Sequence, residues 1–168
     1  GVEGATEDAA VLQLRKQLAK NHICTLFFSM GTPMMLGGDE FLRTQNGNNN
    51  AYCQDNEISW FDWNEIERNR DMRRFVQNII AFTKCYPVLQ RRNFVLGQDL
   101  DADGVPDFAW FGADLKPPQW DDIECRTLCY RLDGGAVASA IGDYSLLIIL
   151  NGDHHLQPVQ VPAPDGTK

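Results

Sequence analysis

The sequence predicts an α+β chain with a helical first half and an antiparallel β domain in its second half. In the first half, apolar residues recur at helical spacing, and glycines and prolines separate the helical stretches. After Arg92 the apolar runs become short and β-rich, with turn residues between them. Several short strands without intervening helices are typical of an antiparallel sandwich. We therefore expect two domains, residues 1–90 and residues 91–168.

The composition restricts the class of protein. The 168 residues are 43% hydrophobic and 23% charged, which is typical of a globular chain. The net charge of −8 argues against a nucleic-acid partner, because proteins that bind nucleic acids gather Lys and Arg on one face. No apolar run reaches the ~18 residues that indicate a membrane-spanning helix, so we expect no membrane association.

The cysteines indicate the compartment. They are five, an odd number, and they are scattered through core-like and loop segments, which does not fit a disulfide framework. A reducing compartment is the simpler interpretation, so we expect a cytoplasmic protein, or a plastid one if the source is a plant or alga. The chain opens at Gly1 rather than at a methionine, and we expect it to begin within a longer protein.

The first helix is predicted to follow Thr6, whose hydroxyl can cap the first turn. Apolar positions then recur at helical spacing at Val11, Leu14 and Leu18. Over Ile23–Phe28 the sequence is apolar nearly all round, so we expect this part of the helix to be buried on more than one side. Gly31 ends the helix.

A short strand is predicted at Met34–Leu36, and Gly37 and Gly38 end it. The acids Asp39 and Glu40 follow at once. Adjacent residues at a strand end point to opposite sides, so these carboxylates cannot easily flank one glycosidic bond at the roughly 5–9 Å that cleavage requires. Three interpretations stay open: one acid supports the following loop by accepting backbone N–H bonds, or contacts a substrate, or takes part in catalysis.

The segment from Arg43 to Asn56 is a polar loop rich in amides, which offer both hydrogen-bond donors and acceptors. Sugar hydroxyls require that mixture together with an aromatic face, whereas a phosphate would require a glycine-rich nest or basic residues. The candidate substrate-binding residues are Asp39, Arg43, Asn48, Asn49, Asn50, Tyr52, Gln54 and Asp55. For each asparagine an Asx turn, which satisfies the loop's own backbone, is an equally open alternative. For the loop as a whole we favour a carbohydrate ligand.

The second helix is predicted over residues 69–84, with one apolar stripe and a stop at Pro87. The stripe comprises Met72, Phe75, Val76, Ile79, Ile80 and Thr83. The predicted strands that follow are Asn93–Leu96, Phe108–Phe111, Thr127–Leu132, Tyr144–Leu150 and Leu156–Val161. Tyr144–Leu150 lacks polar alternation, so we expect it to be a central strand that is buried on both faces.

No metal or cofactor is predicted. Residues 99–104 match the first half of a calcium loop, but Trp110 occupies the position where a bidentate Glu is required. An acidic turn between strands is the simpler interpretation. The histidines have no partner pattern in the sequence, and they are His22, His154 and His155.

Isoamylase-type glycogen and starch debranching enzymes of glycoside hydrolase family 13 resemble this chain in three stretches. The region around their eighth barrel strand is closely similar to GTPMMLGGDEF at residues 31–41 and RTQNGNNNAYCQDNEISWFDW at residues 43–63. The segment that enters their seventh barrel helix resembles GVEGATEDAAVLQLRKQLAKN at residues 1–21. The tryptophan-containing insertion and strand of their C-terminal domain resemble FAWFGADLKPPQWDDIECRTLCYRLDG at residues 108–134.

The resemblance implies a (β/α)8 barrel followed by an antiparallel β-sandwich, and hydrolysis of α-1,6 branch linkages in glycogen or amylopectin. Residues 1–90 would then be the C-terminal end of the barrel, with two helices, one strand and the long loop. Residues 91–168 would be a truncated sandwich. Chains could also associate through barrel surface that the truncation exposes.

The family's three catalytic carboxylates lie at the ends of barrel strands four, five and seven, and they would all precede Gly1. The resemblance therefore implies no catalytic residue in this chain, which we expect to be inactive by itself. The rival interpretations are a non-catalytic carbohydrate-binding or scaffold protein derived from the same family, and an α+β domain with an unrelated role. The reading frame upstream of Gly1 would discriminate between them.

Overall fold

The structure is a computed structural model that describes residues 2–137 and 139–162. Its helices are α1 Ala9–Phe28, α2 Glu65–Arg68 and α3 Arg70–Cys85, and its strands are β1 Phe108–Phe111, β2 Thr127–Asp133 and β3 Ser145–Asn151. Short 3₁₀ turns lie at Asp39–Phe41 and Pro87–Gln90. The chain divides into two units, residues 1–85 and residues 86–168. The described part of the chain is therefore α+β, with helices in the first unit and one sheet in the second.

Helix α1 is capped two residues later than predicted. The carboxylate of Asp8 accepts the backbone N–H groups of Ala10 and Val11, at 2.8 and 3.3 Å. The hydroxyl of Thr6 instead accepts the N–H of Asp8, at 3.2 Å. An Asp at the N-cap also complements the positive end of the helix dipole.

Burial along α1 is lower than predicted. Only Ile23 among its residues is buried, and Leu26, Phe27 and Phe28 are half-buried. Three leucines towards its N-terminal end are exposed: Leu12, Leu14 and Leu18. The prediction of burial on more than one side is wrong for the described chain, because α3 covers one side of α1 and the other apolar side chains have too little cover.

Helix α3 confirms the predicted stripe, with bounds shifted by one residue. Met72, Val76 and Thr83 are buried on it. Met72 and Val76 form the core of the first unit with Ile23 of α1. At the surface, the ammonium of Lys16 lies 2.9 Å from Asp71 and joins the two helices.

The predicted strand Met34–Leu36 is wrong for this chain. Residues 32–36 form no strand in the described structure, and Met34 is 87% exposed. A strand requires neighbouring backbone for its hydrogen bonds, and no described segment pairs with these residues. The short helix α2 was not predicted. The first unit thus contains three helices where the sequence indicated two.

The described residues of the second unit form one antiparallel sheet of order β1-β2-β3. Phe108 pairs with Leu132, and Tyr130 pairs with Ile148. The predictions of strands at Phe108–Phe111 and Thr127–Leu132 are confirmed. The third predicted strand also forms, but β3 lies at the edge of this sheet and β2 is central. The expectation of a central strand there is wrong for this sheet, because a central strand has a partner on each side and β3 has one among the described residues.

The other two predicted strands, residues 93–96 and 156–161, have no strand pairing in the described chain. Residues 93–96 instead lead into a loop that is held by Asp107, whose side chain is 1% exposed. Its carboxylate accepts the backbone N–H groups of Leu96, Gly97 and Gln98 and pairs with Arg91 at 2.9 Å. Burial raises the pKa of Asp107, but these hydrogen bonds together outweigh it and keep the pKa below its usual range.

No described helix combines the length and the apolar character that a membrane crossing requires. The five cysteines are free thiols, and Cys129 is buried in the sheet.

Candidate functional site

The acids that follow the glycine pair lie in the 3₁₀ turn Asp39–Phe41. Glu40 accepts the backbone N–H of Gly38 at 2.8 Å. The interpretation that one of the two acids supports the loop is therefore confirmed for Glu40. This bond leaves Asp39 as the acid of the pair that can contact a ligand.

Gly38 is required by its conformation and by its surroundings. Its φ of +102° is one that L side chains rarely adopt. A Cβ atom added there would lie 2.7 Å from side-chain carbons of Arg43 and 2.9 Å from the ring of Phe61. The close approach of backbone to these two side chains positions the start of the polar loop.

Arg43 ties the start of the loop to its end. Its guanidinium donates to the carbonyl oxygen of Ser59 at 2.8 Å and lies 5.0 Å from the ring centre of Phe61. Its Nε is buried and has no hydrogen-bond partner among the described residues. A buried donor without an acceptor is unfavourable by about 1–3 kcal/mol.

A pocket of about 310 Å³ lies beside Arg43. Of the eight candidate residues, Asp39 and Arg43 line it. Apolar side chains, among them Ile23 and Met35, form part of the remaining wall, and His22 of α1 adds an imidazole. A carboxylate, a guanidinium and apolar walls together suit a ligand with hydroxyl groups on an apolar ring. Sequence reasoning missed His22, because no pattern along the chain links it to residues 39–43.

Two of the three successive asparagines serve the loop itself. The side-chain oxygen of Asn48 accepts the N–H of Asn50 at 2.8 Å, and that of Asn50 accepts the N–H of Tyr52 at 3.2 Å. Gln54 donates to the carbonyl oxygen of Asn50 at 3.4 Å. For Asn48 and Asn50 the structure favours the Asx-turn alternative that the sequence left open.

The remaining loop candidates differ in their environments. Tyr52 is 82% exposed, and Asn49 beside the Asx turns is also exposed. Asp55 accepts the indole N–H of Trp60 at 2.8 Å, a contact that the sequence did not reveal. Tyr52 offers an aromatic face and Asn49 an amide, so these two can contact a sugar without breaking a hydrogen bond of the loop.

Aromatic side chains close the loop. Phe61 and Trp63 have ring centres 5.4 Å apart, and both lie near the buried Phe41 of the 3₁₀ turn. Such tilted and edge-on pairs contribute roughly 0.5–1.5 kcal/mol beyond their buried area. The cluster fixes the end of the loop against the turn that carries Asp39.

The acidic turn at residues 99–104 lies in the second unit, apart from this loop in sequence. Asp99 accepts the backbone N–H groups of Ala102 and Gly104 at 2.8 and 2.9 Å, and the bond from Gly104 is the main cause that lowers the pKa of Asp99. These bonds are typical of an acidic turn, and the absence of calcium there stays a prediction.

Comparison with known proteins identifies relatives across most of the chain. The glycogen operon protein GlgX homolog of Mycobacterium tuberculosis is 37% identical over 165 residues, which cover 92% of this chain and 23% of that protein. The glycogen debranching enzyme of Pectobacterium atrosepticum is 39% identical over 129 residues, 74% of this chain and 18% of the relative. Isoamylase 3 of rice, a chloroplastic protein, is 45% identical over 101 residues, 60% of this chain and 13% of the relative.

The chain spans about a quarter or less of the length of these curated relatives. A search of protein-family models finds no match. The relatives carry the names glycogen debranching enzyme and isoamylase, and they match this chain at 34–45% identity. The chain therefore belongs to the family of isoamylase-type glycogen debranching enzymes.

Proposed function

We propose that the chain is the C-terminal portion of an enzyme that hydrolyses α-1,6-glucosidic branch linkages in glycogen or starch. Residues 1–90 would complete a (β/α)8 barrel, and residues 91–168 would belong to a β-sandwich. The observation that carries the proposal is the 37% identity over 92% of the chain to a relative named for the glycogen operon. The substrate would be a branched α-glucan.

The exposed apolar residues of the first unit support a barrel. Residues 32–36 have no strand partner in the part of the chain that the structure describes, and α1 exposes leucines that a covered helix would bury. In a closed barrel each strand pairs on both sides and each helix packs on the sheet. The remainder of the enzyme would supply that cover. The outer edge of β3, which no described residue pairs with, is equally consistent with a larger β domain.

The polar loop from Arg43 to Asn56 has the character expected of a loop at the rim of the active cleft. Loops that follow barrel strands converge on the substrate at one face of a barrel. We propose that Asn49 and Tyr52 contact the glucan, with Asp39 and Arg43 in the adjoining pocket. Asn48, Asn50, Gln54 and Asp55 would hold the loop in shape through the bonds described above.

The activity of the chain by itself tests whether the catalytic residues lie outside it. We expect it to release no reducing ends from glycogen above a no-protein blank, because the nucleophile and the acid/base would lie outside it. The full reading frame that contains the chain should release linear oligosaccharides from amylopectin under the same conditions. Debranching by the chain alone, with contaminating amylase excluded, would contradict the proposal, and so would an inactive full-length product that is folded.

The rim is tested in the full-length enzyme with matched variants. Tyr52→Ala and Asn49→Ala should each weaken transition-state binding by about 1–3 kcal/mol, measured as kcat/KM on amylopectin. Phe94→Ala and Asn93→Ala are the controls, because both residues are exposed in the second unit. Unchanged kinetics for the Tyr52 and Asn49 variants, with unchanged melting temperature, would assign the loop to structure alone.

A further inference from the structure

The turn after β3 gathers two histidines around one carboxylate. Asp153, His154 and His155 each offer a ligand atom, and these atoms lie within 4.8 Å of one another. The Nδ1 atoms of His154 and His155 lie 3.4 and 3.1 Å from the same oxygen, Oδ1 of Asp153. Successive residues of a strand point to opposite sides, so the turn has brought together two rings that a strand would separate.

The carboxylate is held in place by bonds other than those to the imidazoles. Asp153 is 17% exposed, its Oδ1 accepts the backbone N–H of His155 at 2.9 Å, and its Oδ2 accepts the amide of Gln157 at 2.9 Å. The backbone bond from His155 is the main cause that lowers the pKa of Asp153. The cluster therefore contains a fixed, ionised carboxylate beneath two exposed rings.

The turn is anchored to the sheet. Asn151, the last residue of β3, accepts the N–H of Asp153 at 3.0 Å and the hydroxyl of the buried Thr127 at 3.2 Å. Gly152 donates to the carbonyl oxygen of Arg126 at 2.7 Å. These bonds fix the backbone that leads from β3 into the first ligand, Asp153.

We propose that Asp153, His154 and His155 form a binding site for a divalent transition-metal ion of the zinc, nickel or copper class. Two imidazole nitrogens and one carboxylate are a donor set that such ions accept, whereas calcium and magnesium prefer oxygen ligands alone. Each neutral ring would bind through Nδ1 and carry its proton on Nε2. Water would complete the coordination on the open side, and the net charge of −8 favours a cation.

The site is tested by calorimetric titration of the whole chain with nickel chloride. The only other histidine, His22, supplies the matched control variant His22→Ala. Loss of an outer-shell partner weakens metal binding about 10–100-fold, so removal of a direct ligand in His154→Ala, His155→Ala or Asp153→Asn should cost at least about tenfold. His22→Ala should bind as the unchanged chain does. Equal binding by the His154→Ala chain, or no binding at micromolar nickel, would overturn the proposal.

The five free thiols could bind metal too, so a second readout separates them from the imidazoles. Nitrogen-15 resonances of the imidazole rings are followed during the same titration. The signals of His154 and His155 should broaden before that of His22. Broadening of all three together would indicate non-specific binding and overturn the proposal. This readout uses the unsubstituted chain, so it does not depend on whether the variants fold.

Discussion

Helices α1 and α3 pack on each other, yet they bury very different shares of their apolar residues. In α3, Met72 is fully buried and faces Ile23 of the longer helix. In α1, Ile23 is the one buried residue, and Leu14 is 56% exposed. The apolar residues of α3 form one stripe, which one neighbour can cover, whereas those of α1 face several sides. The contrast teaches that burial depends on the neighbours that are present as well as on the residues of the helix.

The largest predicted effect is the difference in stability between one apolar substitution in α3 and one in α1. Met72→Ala should lower the free energy of unfolding of the first unit by about 2–5 kcal/mol, because it leaves a cavity in the core that α1 and α3 share. Leu14→Ala should change it by less than about 0.5 kcal/mol, because the side chain is already in water. Urea unfolding monitored by circular dichroism measures both. Similar losses for the two variants would remove the contrast between the helices.

The second effect concerns what covers α1 in solution. We propose that Leu14 and Leu18, which are exposed and lie one helical turn apart, allow two chains to associate, because exposed apolar patches are normally interfaces. Leu14→Ser with Leu18→Ser should raise the dissociation constant by at least about tenfold, which corresponds to 1.4 kcal/mol. Sedimentation at several concentrations measures it.

Leu156→Ser is the control for association, because Leu156 is an exposed leucine of the second unit. It should leave the dissociation constant unchanged. A strictly monomeric chain that binds a dye for apolar surface would contradict the proposal, since its leucines would then stay exposed without a partner.

The smallest effect concerns the ion pair between the two helices. The hydrogen bond from Lys16 is the main cause that lowers the pKa of Asp71. A lowered folded pKa means that the stabilisation is present above the unfolded value, about 3.9, and is lost as the pH falls through the folded value. Asp71→Asn should cost only about 0.2–1 kcal/mol at pH 7, because the side chain is 50% exposed and water screens the charge.

The difference between Asp71→Asn and the unchanged chain should vanish when urea unfolding is repeated near pH 2. It should also shrink in high salt, since the pair is at the surface. The control Asp121→Asn changes an exposed acid of the second unit and should show neither dependence. A cost that persists at low pH would indicate that Asp71 acts through something other than its charge.

The sequence predicted well where the partners lie in the chain itself. The stripe of α3 required only a facing apolar surface, which Ile23 supplies. The predicted strand Met34–Leu36 required backbone partners that no described segment provides. A central position for β3 required a further strand along its outer edge, and the described residues form none there. The local sequence pattern indicates which apolar face an element can bury. Its tertiary neighbours determine how much of that face is buried.

The candidate site was predictable in outline but not in its internal bonds. The polar loop and the supporting acid follow from composition and turn chemistry, yet an asparagine suits an Asx turn and a ligand equally well. Only the structure distinguishes Asn48, whose side-chain oxygen accepts a hydrogen bond, from the exposed Asn49.

Asp107 was missed for a related reason, since its backbone partners and Arg91 lie between nine and sixteen residues away in the sequence. An acid directly before the predicted strand Phe108–Phe111 is the signal that could have found it.

The close approach at Gly38 has a consequence for how the loop can vary. Any side chain there meets Arg43 and Phe61 at once, so a substitution would move the residue that lines the pocket together with the ring that closes the loop. A mutational scan of pairs should therefore find strong epistasis between positions 38 and 61, with Gly38→Ala partly rescued by a smaller residue in place of Phe61. The conformation of the polar loop thus depends on Gly38, which has no side chain to offer to a ligand.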